Sequence, residues 1–264
     1  MNRVANYKKL KSDIVDWMGQ YVLQNPSIKS LVVGVSGGID SAVVSTLCAE
    51  TGLPTYVLSM PLYSSHDNDR LSDDHTKALE AKYPNVTRIR VELSGLYDKF
   101  VHSLNWWTDS NQYTSNELAN ANTKSRLRMV TLYQVAGSVN GIVVGTGNKV
   151  EDYGVGFYTK YGDGGIDIAP IADLYKTEVW RLGEHLGVDE RIISAPPTDG
   201  LWDDGRTDED QIGTSYAMLE WVMEKGLSED PLFLNEEQTN AINVYQKFHM
   251  QNKHKMVEIP TFKL

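Results

Sequence analysis

Chemistry-bearing residues are densest where an apolar run enters a glycine turn, in the sequence LVVGVSGGIDS at 31–41. The run Leu31–Val35 is apolar and rich in β-branched residues, which suits a strand buried on both faces of a parallel sheet. The two glycines then let backbone N–H groups approach a ligand without a Cβ in the way. Ala42–Glu50 follows as a predicted helix, whose free N–H groups and positive dipole end point at the same place. With the hydroxyls of Ser36 and Ser41, these groups could surround a phosphate or pyrophosphate.

Asp40 adds a carboxylate to this turn, where a Mg²⁺ ion accompanying the phosphate would need an oxygen ligand. The turn is not a Walker A loop, because no Gly-Lys-Ser/Thr follows at the right distance, and it is not Gly-x-Gly-x-x-Gly. It resembles the pyrophosphate loop of the ATP pyrophosphatases, which cleave ATP between the α and β phosphates and adenylate their substrates. The resemblance assigns ATP binding to consecutive residues: Gly34, Val35, Ser36, Gly37, Gly38, Ile39, Asp40 and Ser41. The alternative is a purely structural strand–helix turn.

A second polar group follows another predicted strand, Gly141–Gly145. Glu151, in the loop after it, could reach the same metal ion as Asp40, so that Mg²⁺ would have two protein carboxylates while phosphates and water supply the other ligands. The alternative is that Glu151 and Asp152 are a solvated loop pair. Farther on, residues 160–165 (KYGDGG) form a glycine-dense loop with charges of both signs. Such loops often close over a substrate.

Alternating strands and helices must position these groups. Predicted strands lie at 31–35, 55–60, 86–91 and 141–145, and predicted helices at 5–24, 39–51, 66–83, 94–104 and 116–139. The alternation indicates an α/β fold with a doubly wound, mostly parallel sheet and helices on both faces. By analogy the strand order is 3-2-1-4, and ligands bind at the carboxyl ends of the strands beside such a switch point. We therefore expect the loops after residues 35 and 145 to meet.

Bulk composition narrows the function classes. The chain has 264 residues, of which 41% are hydrophobic, and a net charge of −10. It can form one domain over 1–264, with helical additions from about residue 207. The negative charge argues against a nucleic-acid partner. No apolar run approaches the ~20 residues that span a bilayer, and the start of the chain lacks a signal-peptide core, so we expect no membrane partner and a cytoplasmic location.

Several longer blocks resemble the ammonia-dependent NAD⁺ synthetases over most of the chain. They read GVSGGIDSA at 34–42, NTKSRLRM at 122–129, GTGNKVE with TKYGDGGID within 145–167, and PPTDGLWDDGRTDEDQIG at 196–213. His254-Lys255 is a weaker fifth match. The first block is shared with other pyrophosphatase-type enzymes, whereas TKYGDGG and the proline-threonine block select this family. The resemblance implies the fold of the adenine nucleotide α-hydrolases.

The same resemblance implies a two-step ligase reaction. The nicotinate carboxylate of deamido-NAD⁺ attacks the α phosphorus of ATP, which releases pyrophosphate, and ammonia then attacks the adenylate to give NAD⁺ and AMP. The family pattern assigns Mg²⁺ to Asp40 and Glu151, and ATP contacts to Thr146, Lys176 and Thr198 as well as the glycine turn. It assigns deamido-NAD⁺ contacts to Arg128, Lys160, Asp167, His254 and Lys255. Asp40, Lys176 and Asp163 would be catalytic, the last by helping to generate neutral NH₃. A solvated loop aspartate is the alternative for Asp163.

Some features depart from the family pattern or leave alternatives open. The block after Gly145 reads TGNKVE rather than TDHAAE, and PTDGLW instead of PTADLW leaves the placement of Asp199 open. About 30 residues precede the first strand, too few for a fused glutaminase domain, so we expect free ammonia or a separate donor. The rival hypotheses are another adenylating amidotransferase of the pyrophosphate-loop type and a non-catalytic sensor of ATP or NAD.

Two further expectations concern assembly and order. The segment 105–139 carries more apolar surface than one helix on a sheet edge needs, and the family resemblance implies a homodimer. The residues concerned are Trp106, Trp107, Tyr113, Leu118, Met129, Leu132 and Tyr133. The alternative is that they fill the monomer core. We also expect residues 154–166, and the tail from Asn252, to have few apolar anchors and to become ordered when ligands bind.

Overall fold

The computed structural model of the chain describes residues 3–63, 66–104, 116–198, 200 and 206–263. Within these ranges a parallel sheet is formed by strands β1 (Ser30–Val35), β2 (Thr55–Ser59), β3 (Val86–Arg90) and β4 (Gly141–Val143), in the order β3-β2-β1-β4. This confirms the predicted order. β4 is shorter than predicted, and an isolated parallel bridge between Val144 and Ile168 continues its line.

Helices flank and follow the strands. They are α1 (Tyr7–Gln24), α2 (Ile39–Glu50), α3 (His66–Lys82), α4 (Ser94–Leu104), α5 (Glu117–Ser138), α6 (Lys176–Leu186), α7 (Glu190–Ile193), α8 (Asp208–Ile212), α9 (Tyr216–Glu224) and α10 (Glu236–Met256). The first five agree with the sequence prediction to within two residues at each end. A π-helix, Val150–Val155, follows β4 where the sequence indicated only a polar loop.

Alternate residues of β1 point into two separate hydrophobic cores, as a strand's two-residue period requires. Leu31, Val33 and Val35 pack with apolar side chains of α1, α2 and α6 on one face. Val32 packs on the other face with Leu58 of β2, under α5 and the residues before α4. Helices therefore cover both faces, which confirms the doubly wound α/β prediction.

A third core joins the C-terminal helices to the segment after β4. Val150 and Val155 of the π-helix lie in it with apolar side chains of α9 and α10, and Ile212 of α8 also contributes. Because this core includes the π-helix, the C-terminal helices pack directly on the chain that carries Glu151. Among the helices in the described part of the chain, none combines the length and apolarity needed to cross a bilayer.

Candidate active site

The glycine turn after β1 is held together by its own serines. Ser41 Oγ accepts the N–H of Ser36 at 3.1 Å and donates to the carbonyl of Gly38 at 2.9 Å, while Ser36 Oγ accepts the N–H of Gly38 at 3.2 Å. Gly37 has φ +93°, and a Cβ there would lie 2.5 Å from the carbonyl oxygen of Asn68, so no other residue fits. α2 begins at this turn without a side-chain cap hydrogen bond, and N–H groups left uncapped at a helix start are suited to bind an anion.

Other residues of the turn are buried behind it. Val35 is buried, and its carbonyl accepts a hydrogen bond from Ser72 Oγ at 2.7 Å. Ile39 is also buried, and a Cβ added at Gly183 of α6 would lie 2.6 Å from its Cδ1. Gly183 therefore allows α6 to pack closely on α2. The side chains of Val35 and Ile39 therefore pack into the protein interior. Any ligand contact made by these two residues would come from their backbone atoms.

Three charged side chains converge at the carboxyl end of the sheet. Lys176 Nζ, at the start of α6, donates to Asp40 Oδ2 in the first turn of α2 at 2.6 Å and to Glu151 Oε1 in the π-helix at 3.0 Å. The lysine is 3% exposed. The loops after β1 and β4 therefore meet, as expected from the strand order.

Two residues that the sequence analysis missed complete this group. The hydroxyl of Tyr216, in α9, donates to Glu151 Oε1 at 2.6 Å and lies 3.1 Å from Asp208 Oδ2 at the start of α8. Asp208 lies within the proline-threonine block, which could have drawn attention to it. Tyr216 begins the apolar stretch YAMLEWV and reads as an ordinary core residue.

Asn148 positions the start of the π-helix, because its Oδ1 accepts the N–H groups of Val150 and Glu151 at 3.0 and 3.2 Å.

Burial and like charge set the electrostatics. Burial, reinforced by the nearby Glu151 carboxylate, raises the pKa of Asp40 to about 6 although Lys176 opposes the shift. Burial works against the charge of Lys176, but the Asp40 and Glu151 carboxylates outweigh it and raise the pKa of the lysine. Burial and the carboxylates Glu151, Asp163 and Asp40 together raise the pKa of Asp152 to about 8. The site therefore gathers several carboxyl groups around one buried cation, and burial with mutual repulsion favours the protonated form of Asp152 at neutral pH.

The two carboxylates fit a divalent cation. Asp40 Oδ2 and Glu151 Oε1 already converge on one cationic atom, and Asp40 Oδ1 is buried without a hydrogen-bond partner among the described residues. No group of three or more His, Cys, Asp or Glu side chains suited to a metal ion occurs in the described ranges. A Mg²⁺ ion would therefore need phosphate and water oxygens besides this pair, which is its usual behaviour.

The remaining expected ATP contacts lie in loops around this centre. Thr146 is half-buried just beyond the Val144–Ile168 bridge. Thr198 Oγ1 donates to the carbonyl of Arg206 and accepts the N–H of Gly200, both at 3.2 Å. Asp199 and residues 201–205 of the proline-threonine block lie outside the described residues.

The expected deamido-NAD⁺ residues fall into two groups. Lys160 Nζ donates to the carbonyl of His254 at 3.1 Å, and Lys255 Nζ donates to the carbonyls of Gly156 and Tyr158 at 2.9 and 2.8 Å, so these residues cluster at the end of α10. Arg128 Nε donates to the carbonyl of Met60, just after β2, at 3.2 Å. Asp167 Oδ2 accepts the N–H of Val143 at 2.7 Å. The side chains of Lys160, Lys255, Arg128 and Asp167 thus all hydrogen-bond to backbone atoms. Their contacts with deamido-NAD⁺ stay predictions.

Asp163 organises its glycine-rich loop. Its Oδ1 accepts hydrogen bonds from Ser125 Oγ in α5 at 2.7 Å and from the N–H of Thr159 at 2.9 Å. Burial of the Asp163 carboxyl group away from water raises its pKa. A Cβ at Gly162 would lie 2.3 Å from Ser125 Oγ, so the loop approaches α5 closely. The expectation that 154–166 has few apolar anchors is wrong, because Val155 lies in the third core and Phe157 packs against it. Asp163 adds polar anchors, and the change of order on ligand binding stays a prediction.

Comparison with known proteins adds a family to this geometry. A family model described as NAD synthase matches residues 10–263. An NH₃-dependent NAD⁺ synthetase from Carboxydothermus hydrogenoformans is 34% identical over 260 residues, which are 97% of this chain and 98% of that protein. One from Alkaliphilus oremlandii is 37% identical over 268 residues, 98% of each chain.

Solved structures agree in fold. The NMN synthetase from Francisella tularensis superposes with a TM-score of 0.85 at 30% identity, covering 99% of this chain and 100% of that one. The NH₃-dependent NAD synthetase from Campylobacter jejuni, solved with a nitrate ion, superposes with a TM-score of 0.71 at 26% identity, covering 98% of this chain and 100% of that one.

Proposed function

The chain belongs to the NAD synthase family, and from that premise we propose that it is a C–N-bond-forming ligase that converts deamido-NAD⁺ to NAD⁺ with ATP and ammonia. The observation that carries the proposal is the convergence of Lys176, Asp40 and Glu151 beside the glycine turn. Adenylation of a carboxylate needs charge neutralisation and alignment more than covalent help from the protein. These residues supply both.

The leaving pyrophosphate would lie against the glycine turn and the first N–H groups of α2. Lys176, a compact positive charge in a buried position, suits the phosphate oxygens. Asp40 and Glu151 would hold Mg²⁺, which when bound neutralises phosphate charge. Tyr216 fixes the Glu151 carboxylate through its hydroxyl. A role for Asp163 near ammonia, and contacts of Thr146 and Thr198 with ATP, remain part of the proposal.

The decisive experiment is an incubation with ATP, Mg²⁺, ammonium and deamido-NAD⁺, followed for AMP and NAD⁺. We expect stoichiometric formation of both products, and none from a Lys176→Met variant that keeps the length of the side chain. Binding of ATP without AMP formation would support the rival hypothesis of a non-catalytic sensor. Replacing ammonium by glutamine tests the nitrogen source, since we expect ammonia to be used directly.

A second candidate substrate is favoured by one observation. The NMN synthetase from Francisella tularensis has a higher TM-score to this chain than the Campylobacter NAD synthetase, 0.85 against 0.71. An enzyme that makes NMN by the same amidation would act on nicotinate mononucleotide, which lacks the adenylate half of deamido-NAD⁺. Comparing kcat/KM for the mononucleotide and the dinucleotide distinguishes the two. A ratio above one for the mononucleotide would reassign the substrate while leaving the chemistry unchanged.

We also propose a homodimer formed through α4 and α5. α4 has no buried residue among its eleven, and its apolar side chains Leu96, Phe100 and Leu104 are exposed. Leu118 and Val130 of α5 are 62% and 57% exposed. Leu132 instead packs against a core, and Trp106, Trp107 and Tyr113 lie outside the described residues. The cytoplasmic location stays a prediction from the sequence.

A further inference from the structure

α10 contacts the main chain of the π-helix, not only its side chains. His249 Nδ1 lies 2.7 Å from the carbonyl oxygen of Gly154, and Asn252 Nδ2 donates to the carbonyl of Val155 at 2.9 Å. Lys255 Nζ donates to the carbonyls of Gly156 and Tyr158 at 2.9 and 2.8 Å. The three side chains are spaced three residues apart on one face of α10. We call these contacts the α10 clamp.

Two of the carbonyl groups in the clamp, those of Gly154 and Val155, belong to the end of the π-helix, and those of Gly156 and Tyr158 follow it. The last carbonyls of any helix lack partners within it, and buried backbone oxygens are costly when unpaired. The π-helix is followed by its cap residue Gly156 with φ +65°, and a Cβ there would lie 2.4 Å from Asn252 Cβ. A Cβ at Gly154 would lie 2.8 Å from Met223 Sδ of α9. Gly156 therefore permits the close approach of α10 that the clamp requires, while Gly154 permits that of α9.

The clamped segment in turn holds the main chain of Glu151. The N–H groups of Gly156 and Phe157 both donate to the Glu151 carbonyl, the latter at 2.9 Å. The side chain of the same residue accepts hydrogen bonds from Lys176 and Tyr216. A continuous series of hydrogen bonds thus runs from α10, through the end of the π-helix, to the residue that carries the carboxylate.

We propose that α10 is a positioning element of the active site, in which His249, Asn252 and Lys255 fix the π-helix and thereby the carboxylate of Glu151. The part of this inference that concerns metal binding rests on the proposed function. None of the three side chains contacts the Asp40–Lys176–Glu151 centre, so each acts through the backbone between 154 and 158. For Lys255 this is a role separate from the deamido-NAD⁺ contact that the family pattern implies.

Matched variants test the α10 clamp. His249→Leu and Asn252→Leu each remove one donor at similar side-chain size, whereas His249→Asn places an amide N–H near the position of Nδ1. Lys253→Leu is the control, because Lys253 is exposed on the same helix. The first readout is amide hydrogen exchange at Gly156 and Phe157, measured by NMR. The second is binding of Mn²⁺ together with an α,β-methylene analogue of ATP, measured by electron paramagnetic resonance.

We expect the two loss-of-donor variants to speed exchange at Gly156 and Phe157 by roughly threefold to tenfold, the scale set by one lost hydrogen bond. Mn²⁺ binding should weaken by a similar factor, although neither residue is a metal ligand. His249→Asn should restore both values, and Lys253→Leu should change neither. Since each variant removes a different contact, either one decides the matter if the other does not fold.

Contrary outcomes separate the clamp from the metal assignment. Unchanged exchange at both amides would overturn the clamp. Faster exchange with wild-type Mn²⁺ binding, when Glu151→Gln does weaken Mn²⁺ binding, would overturn the claim that the clamp positions this carboxylate. If Glu151→Gln itself leaves Mn²⁺ binding unchanged, the proposed metal role fails, and the exchange at Gly156 and Phe157 still decides whether α10 fixes the π-helix.

Discussion

At the scale of single residues, the site depends on a buried charge balance. One ammonium group, that of Lys176, contacts two carboxylates, and the tyrosine hydroxyl of Tyr216 adds a further hydrogen bond to one of them. Removing one partner of a buried ion pair leaves an uncompensated charge, which costs far more than removing an exposed pair. Variants at this centre should therefore lose more activity and more free energy of unfolding than variants at surface ion pairs.

Asp40→Asn should lower kcat by roughly 100-fold or more, a barrier increase of about 3 kcal/mol, because it removes one of the two carboxylates proposed to hold Mg²⁺ against the triphosphate. The measurement is steady-state release of pyrophosphate at saturating ATP and Mg²⁺. Asp13→Asn serves as the control, since Asp13 forms an exposed pair with Lys9. Activity of Asp40→Asn within a few-fold of the parent would contradict the metal assignment.

Tyr216→Phe should lower kcat/KM by about tenfold, because it removes the hydroxyl bonded to Glu151 while keeping the ring that packs edge-on against Trp180. It should also reduce the free energy of unfolding by about 1 kcal/mol in urea titrations. Tyr7→Phe is the matched control, because the buried Tyr7 hydroxyl has no hydrogen-bond partner among the described residues. Equal effects of the two variants on kcat/KM would exclude a role for Tyr216 in the site.

The sequence predicted residues of the site where chemistry and topology coincide. Asp40 and Glu151 follow adjacent parallel strands, so the strand order brings the segments that carry them to the same edge of the sheet. The role of Tyr216 could not be predicted in this way. Its hydroxyl group contacts Glu151, but its position in an apolar stretch is typical of a core residue. The pairing of Lys255 with backbone carbonyls about a hundred residues earlier also depends on tertiary packing that no local pattern encodes.

At the scale of elements, regular helices and strands were predictable and the π-helix was not. Strands β1–β3 and helices α1–α5 have apolar patterns typical of these elements, with helix- or strand-breaking residues at their ends. The π-helix residues VEDYGV have no such period. Its wide turns are stabilised from outside, by Asn148 at its start and by the α10 clamp at its end. A local pattern cannot report stabilisation that comes from a helix about a hundred residues away.

The packing of α3 on α2 makes stability depend on pH. His75 of α3 is buried with Nε2 3.0 Å from Ser45 Oγ of α2, and burial lowers its pKa to about 4. The unfolded chain, with a histidine pKa near 6.5, binds this proton more readily, so stability falls as the pH drops from about 6.5 towards 4. The loss between pH 7 and pH 5 should be about 2 kcal/mol from this residue.

Urea unfolding of the wild type and of His75→Gln at the two pH values measures this contribution. Glutamine can still bond to Ser45 but does not titrate, so the variant should lose about 2 kcal/mol less than the wild type between pH 7 and pH 5. His185→Gln, at the last turn of α6, controls for histidine titration elsewhere. An identical pH dependence in wild type and His75→Gln would show that this histidine does not govern acid stability.

At the scale of the whole molecule, the active-site end of the sheet and the outer side of α4 and α5 differ in how much side-chain surface they bury. The carboxyl end of the sheet is enclosed by the π-helix and by α6, α8 and α9, which bury Lys176 and Tyr216. The outer sides of α4 and α5 keep apolar side chains exposed instead. Exposed apolar patches of this kind usually mark interfaces, and a chain with net charge −10 must bring such faces together against its own repulsion. Burial of apolar area is the force available to do so.

The wild-type protein should therefore have a mass near twice the 29.6 kDa of one chain in light scattering at micromolar concentration. The double variant Leu118→Asp/Val130→Asp should be monomeric, because a charge at each of these positions would be buried without a partner in the dimer. Leu23→Asp is the control, since Leu23 is 71% exposed on α1, away from α4 and α5 in the chain. Adding salt distinguishes the driving force: an apolar interface between like-charged chains should tighten as repulsion is screened. A wild-type mass near that of one chain would reject the dimer and leave the exposed face of α4 and α5 without this explanation.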